Sequence, residues 1–299
     1  MNPEAEPRLR TPWWLRLVGP ITALALVWRV DLREIGGSLA GVRWEPILFS
    51  LVLVAPLFIT KAWRWQLLLR ACGRSITLVE ASWLYTISAG AGALTPGAVG
   101  DFWKGLSPAI GRRSIGLWTS ALDRLYDVAI LVLLGLAITI AWIQRGAPRL
   151  LAASVLGAAV LGAWSARGRL FDLAASLLPR FPDATSALHG SVAPAAGATI
   201  VATLISFGRF ELLVTALGLR LGWAQMFVAF VLSSGVAALP LSVAGLGTRD
   251  LALVGYLRGR GVSSADAIAL SSLCLLLLLW NGALAACLWF AKPAGLKAR

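Results

Sequence analysis

Apolar residues run in eight long stretches along the chain: about 13–28, 46–61, 80–95, 125–143, 150–165, 194–217, 222–240 and 268–291. The stretches are continuous rather than alternating, which predicts helices and not half-buried strands. A helix needs about 20 apolar residues to cross a bilayer, with about 17 as the short limit. The first, third and fifth stretches are marginal by that measure. A membrane β-barrel would instead show alternating strands of about ten residues. The pattern predicts an all-α, polytopic integral membrane protein with about eight membrane helices. The longest polar interval, 166–193, contains Arg167, Arg169, Asp172, Arg180, Pro182 and Asp183 and divides one membrane domain into pseudo-halves, 1–165 and 194–299. Arg8 and Arg10 precede the first stretch, and Ala23-Leu24-Ala25 is a cleavage-type site. Val27 and Trp28 carry the apolar run past that site, so a retained helix is expected.

Two interruptions break the apolar pattern in the same way. Residues 94–105 read LTPGAVGDFWKG, and residues 239–250 read LPLSVAGLGTRD. Each has a proline, a Gly-rich turn, and an acidic and a basic residue. Each follows a run of small residues, ISAGAGA or SSGVAA. Asp101 and Asp250 lie 149 residues apart, and Ser114 and Ser263 follow them by 13 in each case. This spacing predicts an internal repeat. Pro96 lacks a donor and disfavours helix at Thr95, while Gly97 and Gly100 permit turns. Pro240, Gly245 and Gly247 repeat those ingredients. Irregular backbone at membrane depth survives where it is buried in protein or lines a wet cavity, and duplicated breaks point to a transporter-type site. The eight stretches place four crossings between Asp101 and Asp250, which gives a parallel repeat. Without a span at 150–165, three crossings remain and the repeat is inverted.

Charges inside apolar stretches are expensive and normally face partners or water. Asp123, Arg124 and Asp127 open the run LDRLYDVAILVLLGLAI. Arg124 and Asp127 are spaced to pair along one helix face. Arg209 and Glu211 lie in LISFGRFELLVTALGL, and Arg249 and Asp250 close the second break. Together with Asp101 and Lys104 these residues are candidates for a polar cleft that receives a lipid headgroup. The segment KAWRWQLLLRACGR, 61–74, alternates bases with tryptophans, so Arg64 and Trp65 are expected as an interfacial anchor.

Composition narrows the classes. The chain has 299 residues, of which 58% are hydrophobic and 14% charged, with a mean hydropathy of +0.78. Its formal net charge of +13 is expected to meet anionic headgroups rather than nucleic acid. The single histidine, His189, argues against a histidine-based metal site or triad. Cys72, Cys274 and Cys287 show no CxxC spacing, and no nucleotide-binding loop of the GxxxxGK[ST] type occurs. No cofactor is implied.

The order and spacing of these motifs resemble the lysylphosphatidylglycerol synthase transmembrane, or flippase-like, family over about residues 15–290. The resemblance rests on Arg64-Trp65, Pro96-Gly97-Ala98-Val99-Gly100-Asp101 with Lys104, Asp123-Arg124-x-x-Asp127, and Ala244-Gly245-Leu246-Gly247-Thr248-Arg249-Asp250. Lys104 stands where the family pattern has Arg, and Asp123 and Asp250 stand where it has Glu. The resemblance implies a multi-pass plasma-membrane protein that moves or handles lipids between leaflets. The aminoacyltransferase domain of the full synthases is absent, so their synthase activity is not expected. The expected function is a lipid flippase for an anionic, aminoacylated or glycosylated headgroup. The alternatives are a membrane enzyme using a lipid-linked donor, or a non-transporting partner of a separate soluble transferase. Homo-oligomers stay open.

Overall fold

The computed structural model describes residues 40–95, 99–143, 191–238 and 247–290. The expected stretches 13–28 and 150–165, the linker up to residue 190, and Pro96, Gly97, Pro240 and Gly245 lie outside them. The described residues form eight α-helices: α1 (Trp44–Val52), α2 (Val54–Ala71), α3 (Leu78–Leu94), α4 (Arg113–Ile143), α5 (Val192–Ala216), α6 (Trp223–Ala238), α7 (Thr248–Arg258) and α8 (Ser264–Phe290). A 3₁₀ segment, Val99–Leu106, and a single 3₁₀ turn, Pro108–Ile110, join α3 to α4. Among the described residues, three segments are long and apolar enough to cross a membrane: Trp44–Ala71 (α1 and α2 in line), Val192–Ala216 and Ser264–Trp289. The chain is an all-α polytopic membrane protein.

Local chemistry sets the element ends. Thr77 and Glu80 form a capping box that starts α3, with Thr77 N donating to Glu80 Oε2 at 2.8 Å. Thr95, immediately before Pro96, is extended at φ −113°, ψ 142°, as a residue before proline should be, and α3 stops there. Gly111, at φ 76°, turns the chain into α4. Gly247, at φ 77°, starts α7, and Asp250 Oδ2 accepts from its N–H at 2.9 Å.

The direction of each helix follows from which residues meet. At one end of the bundle, Arg74, just past α2, lies against Gly111, just before α4. Ala195 of α5 packs there with Leu68 and Leu122. Trp83 Nε1 donates to Leu288 O at 2.7 Å, which brings the C-terminus of α8 to the same end. At the other end, Arg43 N donates to Ala216 O at 2.9 Å. There α5 ends, α6 begins, and α7 hands over to α8.

The α3–3₁₀ unit therefore enters and leaves by the end where α2 stops and α4 starts. The chain runs inward along α3 and returns along the 3₁₀ segment, which lies against α3 and α4. The α6–α7 unit does the same from the opposite end, with α7 packed on α6 and α8. Stretches 80–95 and 222–240, read from the pattern as spans, are inward limbs of re-entrant hairpins. Because the hairpins enter from opposite ends, the repeat is inverted rather than parallel. Apolar length alone cannot distinguish a crossing helix from a limb whose partner returns to the same side.

This topology makes a labelling prediction. In a cysteine-free background, Ser75→Cys and Arg112→Cys are expected to react with an impermeant maleimide from the same side of sealed vesicles. Ser263→Cys is expected to react from the other side. Opposite-side labelling of positions 75 and 112 would refute the hairpin.

The hairpins seat against their neighbours by close backbone approach. A Cβ on Gly90 of α3 would overlap Ala285 of α8, and Gly105 lies against Gly116 of α4 backbone to backbone. Small residues at such contacts let membrane helices pack without a hydrophobic driving force. The core has one cluster around Phe207, Phe210, Phe230, Leu253 and Leu270 and another around Trp65, Leu69, Leu84 and Ile110.

Candidate functional site

Four elements converge on a set of ion pairs inside the bundle. Asp123 lies ten residues into α4, about 15 Å along its axis. Arg64 of α2 donates from Nε to Asp123 Oδ1 and from Nη1 to Asp127 Oδ1, each at 2.7 Å. It also donates to Thr199 Oγ1 of α5 and to the Asp123 carbonyl, both at 3.0 Å. Lys104 of the 3₁₀ segment donates from Nζ to Asp123 Oδ2 at 2.6 Å. Lys61 of α2 pairs with Asp127 Oδ2 at 2.8 Å, and Arg124 pairs with Asp101 Oδ2 at 2.9 Å. The Lys104 ammonium also stands 4.0 Å from the Tyr85 ring centroid and 5.5 Å from that of Trp65. This is a cation–π arrangement with two rings.

Exposure divides the network into two layers. The side chains of Arg64, Asp123 and Lys104 are 0%, 2% and 4% exposed. Removing one partner of such a buried pair strands a charge, so these ions hold α2, α4 and the first hairpin together. The Lys61–Asp127 and Arg124–Asp101 side chains are 20–30% exposed and line a cavity of about 250 Å³. Its remaining wall includes Tyr85, Ala89, Gly92, Ala93, Ala237 and Asn281. Residues from the inward limbs of both hairpins thus border it: Gly92 and Ala93 of α3 and Ala237 of α6. Next to it runs an apolar groove of about 510 Å³ between α2, α3 and α8, lined by Val54, Ile59, Val79, Trp83, Leu284 and Leu288 among others. Phe58 lines both.

The structure brings together Asp101, Lys104, Asp123, Arg124 and Asp127 from the candidate set. Only Asp101, Arg124 and Asp127 of these face the cavity. The expected Arg124–Asp127 pair does not form. Both residues find stronger partners on other elements, because each points away from α4 into the bundle. Arg64 and Trp65, expected at the interface, are each 0% exposed. Burial is possible because two aspartates and a threonine satisfy the guanidinium, and Thr119 Oγ1 accepts from Trp65 Nε1 at 3.2 Å. Lys61, read only as part of the interfacial segment 61–74, joins the cavity. Its signal was the three-residue spacing to Arg64, which puts both bases on one face of α2.

The other candidates lie apart. Arg249 Nη2 donates to Asp250 Oδ1 at 3.0 Å and to Ser271 O at 3.2 Å. Ser271 Oγ donates to Asp250 Oδ1. This cluster ties α7 to α8 and does not line the cavity. Arg209 is buried and donates from Nε to Ser50 O at 2.9 Å. Glu211, two positions on, is half-buried on a different face of α5 and makes no ion pair among the described residues. Gly100 packs directly on the backbone of Ala91, and its N–H donates to Thr95 Oγ1 at 2.8 Å. Among the described residues no group of three or more His, Cys, Asp or Glu is placed to hold a metal.

No curated protein and no solved structure matches the chain. The family described as "Lysylphosphatidylglycerol synthase TM region" matches residues 14–286 of the 299. That match spans every element of the site, from α2 through the first hairpin and α4 to α8. The chain belongs to the lysylphosphatidylglycerol synthase transmembrane-region family.

Proposed function

We propose that this membrane protein, of a family tied to lipid metabolism, moves an amphipathic lipid between leaflets of the plasma membrane. The observation that carries the reading is the junction of a polar cavity with an apolar groove at Phe58. A headgroup fits the first and an alkyl chain the second. A charge taken through hydrocarbon meets a penalty of several kcal/mol. The cavity answers it with Lys61, Asp101, Arg124 and Asp127, whose pairs are exposed enough to exchange partners. Two hairpins that enter from opposite sides and border one cavity supply the alternating-access element.

The test is translocation in reconstituted vesicles, using fluorescent anionic, aminoacylated and glycosylated lipids in turn. Wild-type protein is expected to move at least one of them faster than empty vesicles. Asp101→Ala leaves Arg124 without its carboxylate and is expected to slow that lipid at least about tenfold, equivalent to about 1.4 kcal/mol. Chromatography of the vesicle lipids is expected to show no new species. A wild-type protein indistinguishable from empty vesicles for every probe would refute the proposal, and a covalently altered lipid would replace transport with catalysis.

A further inference from the structure

Lys61 and Asp127 line two cavities at once. On one side lies the headgroup cavity. On the other is a smaller chamber of about 130 Å³ between α2, α4, α5 and α6, bordered by Lys61, Asp127, Thr203, Ser206, Phe230 and Ser234. The ion pair is the partition between them.

The small chamber presents acceptors. Thr203 Oγ1 donates to Thr199 O, and Ser206 Oγ donates to Ala202 O, both at 2.8 Å. Each hydroxyl has one proton, and that proton is committed to its own helix, so only lone pairs remain for the chamber. Asp127 accepts one bond on each oxygen, from Arg64 and Lys61. A carboxylate has about four lone-pair sites, so acceptor capacity remains on both. Ser234 adds a third hydroxyl from α6. An anionic oxygen with several neutral oxygens, in a chamber large enough for water as well, is a donor set for a small hard cation.

We propose that this chamber is a site for a small alkali cation, Na⁺ by hardness and size, and that the cation replaces Lys61 as the countercharge of Asp127. The released Lys61 ammonium then belongs to the headgroup cavity, beside Asp101 and Arg124. The lining of that cavity becomes more positive, and an anionic headgroup binds it more tightly. By linkage the headgroup raises the affinity for the cation in equal measure. The cation site stands on the chamber alone, whereas the coupling rests on the lipid reading above.

The first measurement is the thermal unfolding midpoint of the full-length protein in detergent, titrated with NaCl against choline chloride at constant ionic strength. A saturable, Na⁺-specific rise is expected, because a ligand that binds only the folded state stabilises it. Thr203→Val with Ser206→Ala removes two ligand oxygens and is expected to raise the half-saturating Na⁺ concentration at least about tenfold, since even loss of a group that only supports a ligand costs about 10–100-fold. Lys61→Met removes the competitor and is expected to lower it. No Na⁺-specific rise, an unchanged titration in the double variant, or weaker Na⁺ binding by Lys61→Met would each overturn the site. The second measurement is translocation of fluorescent phosphatidylglycerol in vesicles with Na⁺ or choline, where a faster rate in Na⁺ is expected. Translocation at equal rates overturns the coupling and leaves the lipid reading standing. A Na⁺-specific midpoint rise in a protein that moves no lipid supports the cation site and overturns the lipid reading.

Discussion

Asp123→Asn is expected to unfold or severely destabilise the protein. The carboxylate of Asp123 accepts from Arg64 at 2.7 Å and Lys104 at 2.6 Å, and its side chain is 2% exposed. Asparagine keeps the shape but leaves two buried cations facing a neutral amide. Breaking one buried pair in this way costs about 3–5 kcal/mol. Arg64 retains Asp127 and Thr199, so most of the loss falls on Lys104, whose only carboxylate partner among the described residues is Asp123. The faces of Tyr85 and Trp65 offset a part, about 2 kcal/mol for a desolvated cation–π contact. The measurement is the thermal midpoint in detergent together with the yield of monodisperse protein. Adding Lys104→Met removes the stranded charge, so the double variant is expected to be more stable than Asp123→Asn alone. Strict additivity of the two losses would show that Lys104 and Asp123 are not coupled.

Gly116→Ala is expected to unseat the first hairpin. A methyl group on Gly116 would overlap the carbonyl of Gly105, which is backbone and cannot swing away. Overpacking of a tight contact costs about 1–3 kcal/mol. Here the hairpin must also move away from α4, which lengthens Lys104–Asp123 and Asp101–Arg124 together. The expected loss is therefore at the upper end of that range. Hydrogen exchange across residues 99–110 is expected to rise while exchange in α5 and α8 stays near wild type. Uniform loss of protection throughout the bundle would instead mean that the contact supports the whole fold. Gly105→Ala is expected to behave alike, since it meets the same contact from the other side.

The sequence pattern exposed the helices and the two breaks because these are local properties. Proline before a glycine-rich turn stops α3 at Thr95 whatever surrounds it. The charges of α4 were equally visible, since Asp123, Arg124 and Asp127 have no apolar reason to open a membrane helix. Their partners were not visible. Spacing along one helix favoured Arg124 with Asp127, but the geometry that decides lies between elements far apart in the chain: residue 64 with 123, and 101 with 124. Arg64 shows the same limit. Flanking tryptophans read as an interfacial signature, and only the meeting of α2, α4 and α5 supplies the acceptors that let a guanidinium go fully inside. The sense of the repeat was hidden for a related reason. A limb of 17 residues (α3) is close to the length of a span, and the return path is a 3₁₀ segment of only 8 residues, too short to read as a limb. The surroundings of Lys104 were likewise out of sight in the sequence. The ammonium there meets Asp123 and the rings of Tyr85 and Trp65.

The ion network also constrains how the protein is made. Alone, α4 carries Asp123, Arg124 and Asp127 in its first half, and a charge that reaches mid-bilayer costs about 2.5–3.5 kcal/mol. Synthesis delivers α2 first, so Lys61 and Arg64 are already in the membrane when Asp123 and Asp127 arrive. The first hairpin is made between them, yet its slot is closed by Asp123 and Arg124 and does not exist until α4 has inserted. The hairpin settles into that slot only once α4, the helix that follows it, supplies Asp123 and Arg124. Docking of the hairpin thus depends on a helix that comes later in the chain.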